Sequence, residues 1–301
     1  MRPTVRPTSL APRPTAIAAI VAFGAAASIA SPLAAQPSDT TSVSTKPLFT
    51  RHDAWVAGAF TAATIAMLPL DKVVARRLQD PRAQENRFFR HQATNLRLIG
   101  EPGTLFIGAG MYGIGRLAGN ERMADLGLHG TEAVLVGLGT TAILKLVIGR
   151  ARPHVDIENP AQFAPFRGLH DEAWRSFPSG HTTMGFAAAA AVTEETREWW
   201  PKYNWAVATA MYGGATLIGT SRMYNNKHWA SDVITGAAIG TFAGRKVVRY
   251  HHSHPDNRVD RWLLGARVTP GGRVALMVMP TRVRVARRTP VGAISMQPAT
   301  R

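Results

Sequence analysis

The chain has 301 residues, 46% of them hydrophobic and 18% charged, which is too apolar for a disordered protein and long enough for one large domain or two small ones. Its 35 Lys and Arg stand against 19 Asp and Glu, and the net charge of +16, taken alone, points to nucleic acid or an anionic membrane surface. With no cysteine, disulfide scaffolds, thiolate zinc sites, iron–sulfur clusters and cysteine nucleophiles are excluded.

The position of the charge says more than its sum. Residues 1–35 carry Arg2, Arg6 and Arg13 and no acid. Residues 36–244 are almost balanced, with 20 basic and 17 acidic side chains. Residues 245–301 carry 12 basic side chains against Asp256 and Asp260. The excess therefore sits in two ends that differ in kind. At the first, three arginines precede an apolar run, Ala16–Ile29, and then small residues, the pattern of a signal peptide over 1–35 with cleavage after Ala35 or Ala30. The expectation is an exported protein, periplasmic or membrane-associated, with an uncleaved anchor or an integral membrane protein as the alternative. Residues 36–50, rich in Ser, Thr and Pro, read as a linker.

From residue 51 to residue 252 the pattern is helical. Ala54–Leu70 is uncharged and apolar and ends at Pro69. Asp71–Leu98 is charged, has apolar positions at helical spacing and should break at Pro81. Pro102–Leu117 is Gly-rich and apolar. Thr131–Ile148 is a strong helix that stops before Arg152-Pro153, because the residue before proline avoids helical geometry. His154–Phe177, with Pro160, Pro165 and Gly168, reads as irregular. Thr182–Trp200, Trp205–Thr220 and Ser231–Tyr250 complete an all-α bundle of about six core helices. The basic tail, 253–301, contains a candidate short β-hairpin, Leu263–Thr269 and Arg273–Met279 around Pro270-Gly271-Gly272. A mean hydropathy of −0.05 favours a soluble or peripheral bundle over five or six membrane spans.

Three segments place polar side chains in apolar surroundings. In Lys145-x6-Arg152-Pro153 the two cations are two helical turns apart and can share a face, as an anion clamp or as ordinary complements to a helix C-terminus. In Phe177-Pro178-Ser179-Gly180-His181, Ser179 is a natural N-cap and Gly180 lets a ligand approach the backbone. The helix start that follows offers N–H groups to a phosphate beside His181. In Ser221-Arg222-x5-His228-x3-Asp232, the His and the Asp share a helical face, so Asp232 can accept the Nδ1–H of His228 and leave Nε2 as a nucleophile. Arg222 suits a pair of phosphoryl oxygens. Each segment alone has an ordinary structural explanation. Together they supply three cations, a helix N-terminus, one His with a carboxylate and one without, the requirements of in-line phosphoryl transfer through a phosphohistidine.

The three motifs, in this order, resemble the signatures of the type 2 phosphatidic acid phosphatase / vanadium haloperoxidase superfamily, and no motif position departs from the pattern. The resemblance implies that His228 attacks phosphorus, Asp232 orients it and His181 protonates the leaving oxygen and then activates water. Lys145, Arg152, Ser179, Gly180 and Arg222 would hold the phosphoryl oxygens. It implies no metal and no cofactor; vanadate would enter only under the alternative, a haloperoxidase built on the same site. The expected substrate is a phosphorylated small molecule or lipid, phosphate monoester or diphosphate. The tail is expected to lean on an anionic membrane surface, and no nucleic acid is expected, since the body lacks interleaved aromatic and basic stretches. Asp156, Glu158, Asp171 and Glu172 are expected to be solvated loop charges.

Overall fold

A computed structural model describes residues 48–254, 257–264, 266–268 and 274–276. The expected signal peptide, most of the linker and most of the tail lie outside the described residues. The chain divides into two units, Met1–His254 and Pro255–Arg301.

In the first unit Thr50 opens α1 (Arg51–Met67): its hydroxyl accepts from the Asp53 N–H while the Asp53 carboxylate accepts from the Thr50 N–H, a reciprocal cap. A short turn at Leu68–Leu70 leads into α2 (Asp71–Leu78). The expected break falls at Pro81, which opens α3 (Pro81–Glu85) behind an Asp80 cap. Asn86 caps α4 (Arg87–Leu98). A kink at Ile99–Gly103 precedes α5 (Thr104–Ala118). The next helix, α6 (Glu121–Ile148), starts ten residues before the apolar pattern suggests, because the Asn120 side chain accepts from the Met123 N–H and secures a polar first turn. After an irregular stretch with single-turn helices at Arg167–Leu169 and Glu172–Trp174 come α7 (Gly180–Trp199), α8 (Asn204–Tyr224) and α9 (Ala230–Ser253).

The all-α expectation holds, and α7 is the hub, packed against α6, α8 and α9. Its alanines are the reason. Ala187, Ala189, Ala190 and Ala191 are fully buried and let neighbours close in on every side. On α9, Gly236, Gly240 and Gly244 recur every four residues and face the α7 backbone. A Cβ on each would lie 2.5 Å, 2.3 Å and 2.5 Å from the carbonyl oxygens of Ser179, Thr183 and Ala187. The two helices thus meet backbone to backbone along three turns. Around this contact pack Phe60, Phe186, Tyr212 and Ala215 on one side, and Val134, Met184, Val247 and Val248 on another. Gly149 ends α6 in the left-handed region at φ 60, with the space where its Cβ would stand taken by the Ala164 carbonyl. Side chains other than hydrogen are excluded there, and the chain turns at once into the loop that carries Arg150 and Arg152.

In the second unit, α10 (Arg258–Leu263) is capped by Asn257. Strands β1 (Ala266–Val268) and β2 (Val274–Leu276) pair antiparallel with Arg267 opposite Ala275. The Pro270-Gly271-Gly272 turn lies outside the described residues.

The outer faces of the first unit are apolar. Trp55 and Leu117 are each 80% exposed, and Ile65, Phe106, Ile107, Ile114, Leu135, Ile143 and Trp205 are exposed as well. Two helical stretches of 28 residues, Arg51–Leu78 and Glu121–Ile148, are long and apolar enough to cross a membrane. The near-zero mean hydropathy conceals this, because it averages these faces with the polar loop and both charged ends.

Replacing Gly240 with leucine is expected to force α9 off α7 and to cost about 1–3 kcal/mol or more. A drop of several degrees in the unfolding midpoint checks it, and an unchanged midpoint refutes the backbone-to-backbone packing.

Candidate active site

Four helix ends converge at one end of the bundle. Lys145 stands in the last turn of α6, Ser179, Gly180 and His181 open α7, Arg222 closes α8, and Asp232 lies in the first turn of α9. Arg152 arrives on the loop after α6 and His228 on the link between α8 and α9. Several contacts tie these ends together. The Ser179 N–H donates to the Asp232 carbonyl at 3.0 Å. Lys145 Nζ donates to the Arg175 carbonyl at 2.8 Å, and a Cβ on Gly180 would touch the Lys145 side chain at 3.7 Å. Lys145 is also within electrostatic reach of Arg152, His181, Arg222 and His228, so all eight residues singled out in the sequence are brought together.

His228 is 97% buried. Its Nδ1 lies 2.7 Å from the Ser176 carbonyl, an acceptor, so Nδ1 carries the proton and Nε2 keeps its lone pair. The sequence reading assigned that proton to Asp232. Asp232 Oδ2 stands 3.7 Å from Nδ1, beyond hydrogen-bond distance, because both of its oxygens are already engaged. Oδ2 accepts from the Ser176 hydroxyl at 2.6 Å and the Trp229 N–H at 2.8 Å, and Oδ1 accepts from Arg150 at 2.6 Å. Ser176 thus gives its hydroxyl to Asp232 and its carbonyl to His228. Burial above all, and the Lys145 charge, push the His228 imidazole down to about 3, so it is neutral through the physiological range.

Arg150, 1% exposed, is the other residue that the motif reading passed over. Its guanidinium also donates to the Ser231 hydroxyl at 2.8 Å, to Asp71 Oδ2 at 2.7 Å and to the Pro160 carbonyl at 2.7 Å. Asp71 in turn accepts from the N–H and the hydroxyl of Ser231. One cation between two carboxylates pins α2, α9 and the loop after α6 to one another. A signal existed in the sequence, since Arg150 lies inside Lys145-x6-Arg152, but nothing in the spacing distinguished it from a solvated cation.

The reading of His181 as the histidine without a carboxylate is corrected. Glu101, on the kink before α5, places Oε2 3.1 Å from His181 Nδ1. That contact joins residues 80 apart and belongs to none of the three motifs. The N-cap expectation for Ser179 is right in position and wrong in bonding: its hydroxyl accepts from Thr182 Oγ1 at 2.8 Å and makes no cap bond to the helix. Of the expected loop charges, Glu158 is held by Lys72 at 2.7 Å and by Arg76, and Glu172 lies 3.1 Å from the site cation Arg152. The loop is thereby fastened to α2 and to the site.

Two of the site cations have buried nitrogens without a hydrogen-bond partner among the described residues. These are Nε and Nη1 of Arg222, which is 6% exposed, and Nε of Arg152. A buried guanidinium donor left unsatisfied costs about 1–3 kcal/mol or more. Two such groups beside Lys145 and a helix N-terminus form a site shaped for a polyvalent oxyanion. The donor set of imidazoles, ammonium and guanidinium already supplies the positive charge that phosphoryl chemistry needs, so none of its steps calls for a metal.

Replacing Arg150 with methionine leaves Asp71 and Asp232 buried without their cation and is expected to destabilise the protein by about 3–5 kcal/mol. Thermal unfolding checks this, and a loss under 1 kcal/mol would show that the pairing is not structural.

Residues 128–255 match the family model described as PAP2 superfamily. A lipid A 1-phosphatase of Porphyromonas gingivalis is 44% identical over 72 residues, which cover 24% of this chain and 15% of that protein. A lipid A 1-phosphatase of Rhizobium johnstonii is 41% identical over 103 residues, 33% of this chain and 37% of that protein. The chain thus spans less than half the length of these curated relatives. Among solved structures, that of LpxE from Aquifex aeolicus overlays with a TM-score of 0.45 at 22% identity, covering 60% of this chain and 96% of that one. The motif resemblance and the match to the PAP2 superfamily model coincide on the same stretch of helices, residues 128–255.

Proposed function

We propose that this protein is a phosphohydrolase that removes a phosphoryl group from a phosphorylated lipid through a phosphohistidine at His228. The observation that carries the reading is the set of buried nitrogens without a partner among the described residues, Nε and Nη1 of Arg222 and Nε of Arg152, beside a neutral, tautomer-fixed His228.

In the first step His228 Nε2 forms a bond to phosphorus while the bond from phosphorus to the leaving oxygen breaks. Burial and the nearby Arg222 push His181 down to about 2 in the free site, so it takes up a proton from solvent as the phosphoryl anion arrives, is steadied at Nδ1 by Glu101, and gives its other proton to that oxygen. In the second step His181 takes a proton from water, the water oxygen bonds to phosphorus, and the phosphorus–nitrogen bond breaks to release inorganic phosphate. The equatorial oxygens gain charge in both steps. Lys145, Arg152, Arg222, the Ser179 hydroxyl and the Gly180 N–H face that charge in a buried setting, where each is worth more than in water. As imidazolium character develops on His228, the Ser176 carbonyl holds its Nδ1–H and Asp232, 3.7 Å away, stabilises the positive charge.

The lipid class rests on the surface as well as on the relatives. The exposed apolar faces of α1, α5, α6 and α8 suit an acyl-chain environment, so the protein is read as membrane-associated, with its site at one end of the bundle within reach of headgroups. The relatives' lipid A phosphate supports the same class. Export to the periplasm and a tail leaning on anionic headgroups fit this placement.

Incubation with a radiolabelled lipid phosphate in EDTA followed by rapid quench is expected to trap an acid-labile, base-stable phosphoenzyme. His228→Ala should form none, with kcat down at least about 10³-fold. His181→Asn should lose about 10²–10⁴-fold in turnover. Full activity of His228→Ala, or activity that disappears in EDTA, would overturn the mechanism. Detergent-dispersed phospholipids tested beside soluble phosphate esters check the substrate class, and a preference for the soluble esters would refute it. Glu101→Gln is expected to lower kcat more than it changes KM and to move the basic limb of the pH–rate profile to lower pH, because His181 loses the charge that favours its protonated form. An unchanged profile would remove Glu101 from the mechanism.

A further inference from the structure

At the other end of the same three helices lies a second cluster of titratable side chains that the proposed phosphoryl transfer does not use. His129 on α6, Glu195 on α7 and His252 on α9 meet there. His129 Nδ1 is 2.5 Å from Glu195 Oε1, and His252 Nε2 is 3.1 Å from Glu195 Oε2. The ligating atoms of these three residues all lie within 4.8 Å of one another. His129 and Glu195 are buried, while the His252 side chain is about one-third exposed. At about 1.5 Å rise per residue, the 16 residues from His129 to Lys145 put the cluster about 24 Å along α6 from the phosphate-binding lysine.

We propose that His129, Glu195 and His252 form a binding site for a single divalent transition-metal ion, of which Zn2+ is the natural occupant. Two imidazoles and one carboxylate are a donor set that suits zinc, with a fourth position for water. Donors around a tetrahedral zinc at about 2.0–2.1 Å are about 3.3 Å apart, so small side-chain rotations within the present spacing bring them into place. The surroundings provide support. The His251 ring stacks on His129 at 4.1 Å between centroids and bonds Glu132 at 2.7 Å. His252 Nδ1 lies 3.7 Å from Glu198, an acceptor for the proton that Nδ1 carries once Nε2 binds metal. Partly exposed His252 is the entry side, and buried His129 and Glu195 are the inner ligands.

Binding replaces the protons now shared between Glu195 and the two imidazoles. His129 donates its Nδ1 lone pair and His252 its Nε2 lone pair, each imidazole keeping one proton on its other nitrogen and any further proton leaving to solvent. The ion cross-links α6, α7 and α9 at the end of the bundle opposite the phosphoryl site.

The test uses the full chain, purified without a polyhistidine tag, stripped with chelator, exposed to zinc chloride and desalted. The wild type is expected to retain about one zinc per chain by elemental analysis and to melt at a higher temperature with zinc than without, as binding to the folded state requires. His252→Ala, at the accessible edge, should fold, retain no zinc and lose the zinc-dependent shift. Glu195→Gln should do the same while keeping a hydrogen-bonding side chain. His228→Ala should retain the zinc, which separates this site from the catalytic one. Zinc retained equally by His252→Ala and Glu195→Gln, or none retained by the wild type, would overturn the proposal and leave the cluster as a proton-sharing contact.

Discussion

The Arg150 guanidinium is the interaction on which the rest of the site depends. It is buried, shared between Asp71 and Asp232, and fixed further by Ser231 and the Pro160 carbonyl. A buried charge pair adds little net stability against an apolar replacement of equal fit, but breaking one side of it is costly. Its effect is therefore positional. It sets where α9 begins relative to α2 and to the loop after α6, and α9's first turn is where Asp232 stands. Once Asp232 is committed to Arg150, Ser176 and the Trp229 N–H, no lone pair remains well placed for His228. The histidine turns instead to the Ser176 carbonyl, which Asp232 holds through the Ser176 hydroxyl. Carboxylate, serine and histidine act in series, and the charge of Asp232 still reaches the ring through space.

This arrangement explains how several positive groups coexist in a small volume. Each cation has a different anchor. Arg150 is neutralised by two carboxylates, Lys145 donates to a carbonyl, and Arg152 reaches Glu172 at the rim. Arg222 alone has two buried nitrogens without a partner among the described residues. His228 adapts to the same field by remaining neutral, which makes its lone pair available. A phosphoryl group with two or three negative oxygens matches what remains uncompensated, so in the proposed reaction recognition and transition-state stabilisation would draw on the same unsatisfied donors.

The bundle that carries the site is held by small residues at its centre and turns its large apolar side chains outward. Ala187–Ala191 and the Gly236, Gly240 and Gly244 face let α7 and α9 approach closely, while Trp55, Phe106 and Leu117 stand exposed. That inversion is unfavourable in water and natural beside acyl chains. Under the proposed function, it would bring the helix ends that carry His181 and Asp232 to a lipid surface.

The sequence by itself determined the helical periods, the breaks at prolines and the eight residues that meet at the site, because motifs such as Lys145-x6-Arg152 and His228-x3-Asp232 encode short-range geometry. It also separated the +16 charge into two terminal regions and a nearly neutral body. Tertiary structure decided what spacing cannot carry. Glu101 reaches His181 across 80 residues, Asp71 reaches Arg150 across 79, and Ser176 displaces Asp232 as the acceptor of the His228 proton. It also decided which face of each helix is apolar to the outside, a property that mean hydropathy averages away. The physical reason is the same throughout: a helix fixes its neighbours three and four residues away, whereas a hydrogen-bond partner is chosen by which polar groups with free donor or acceptor capacity the packed chain brings within about 3.2 Å.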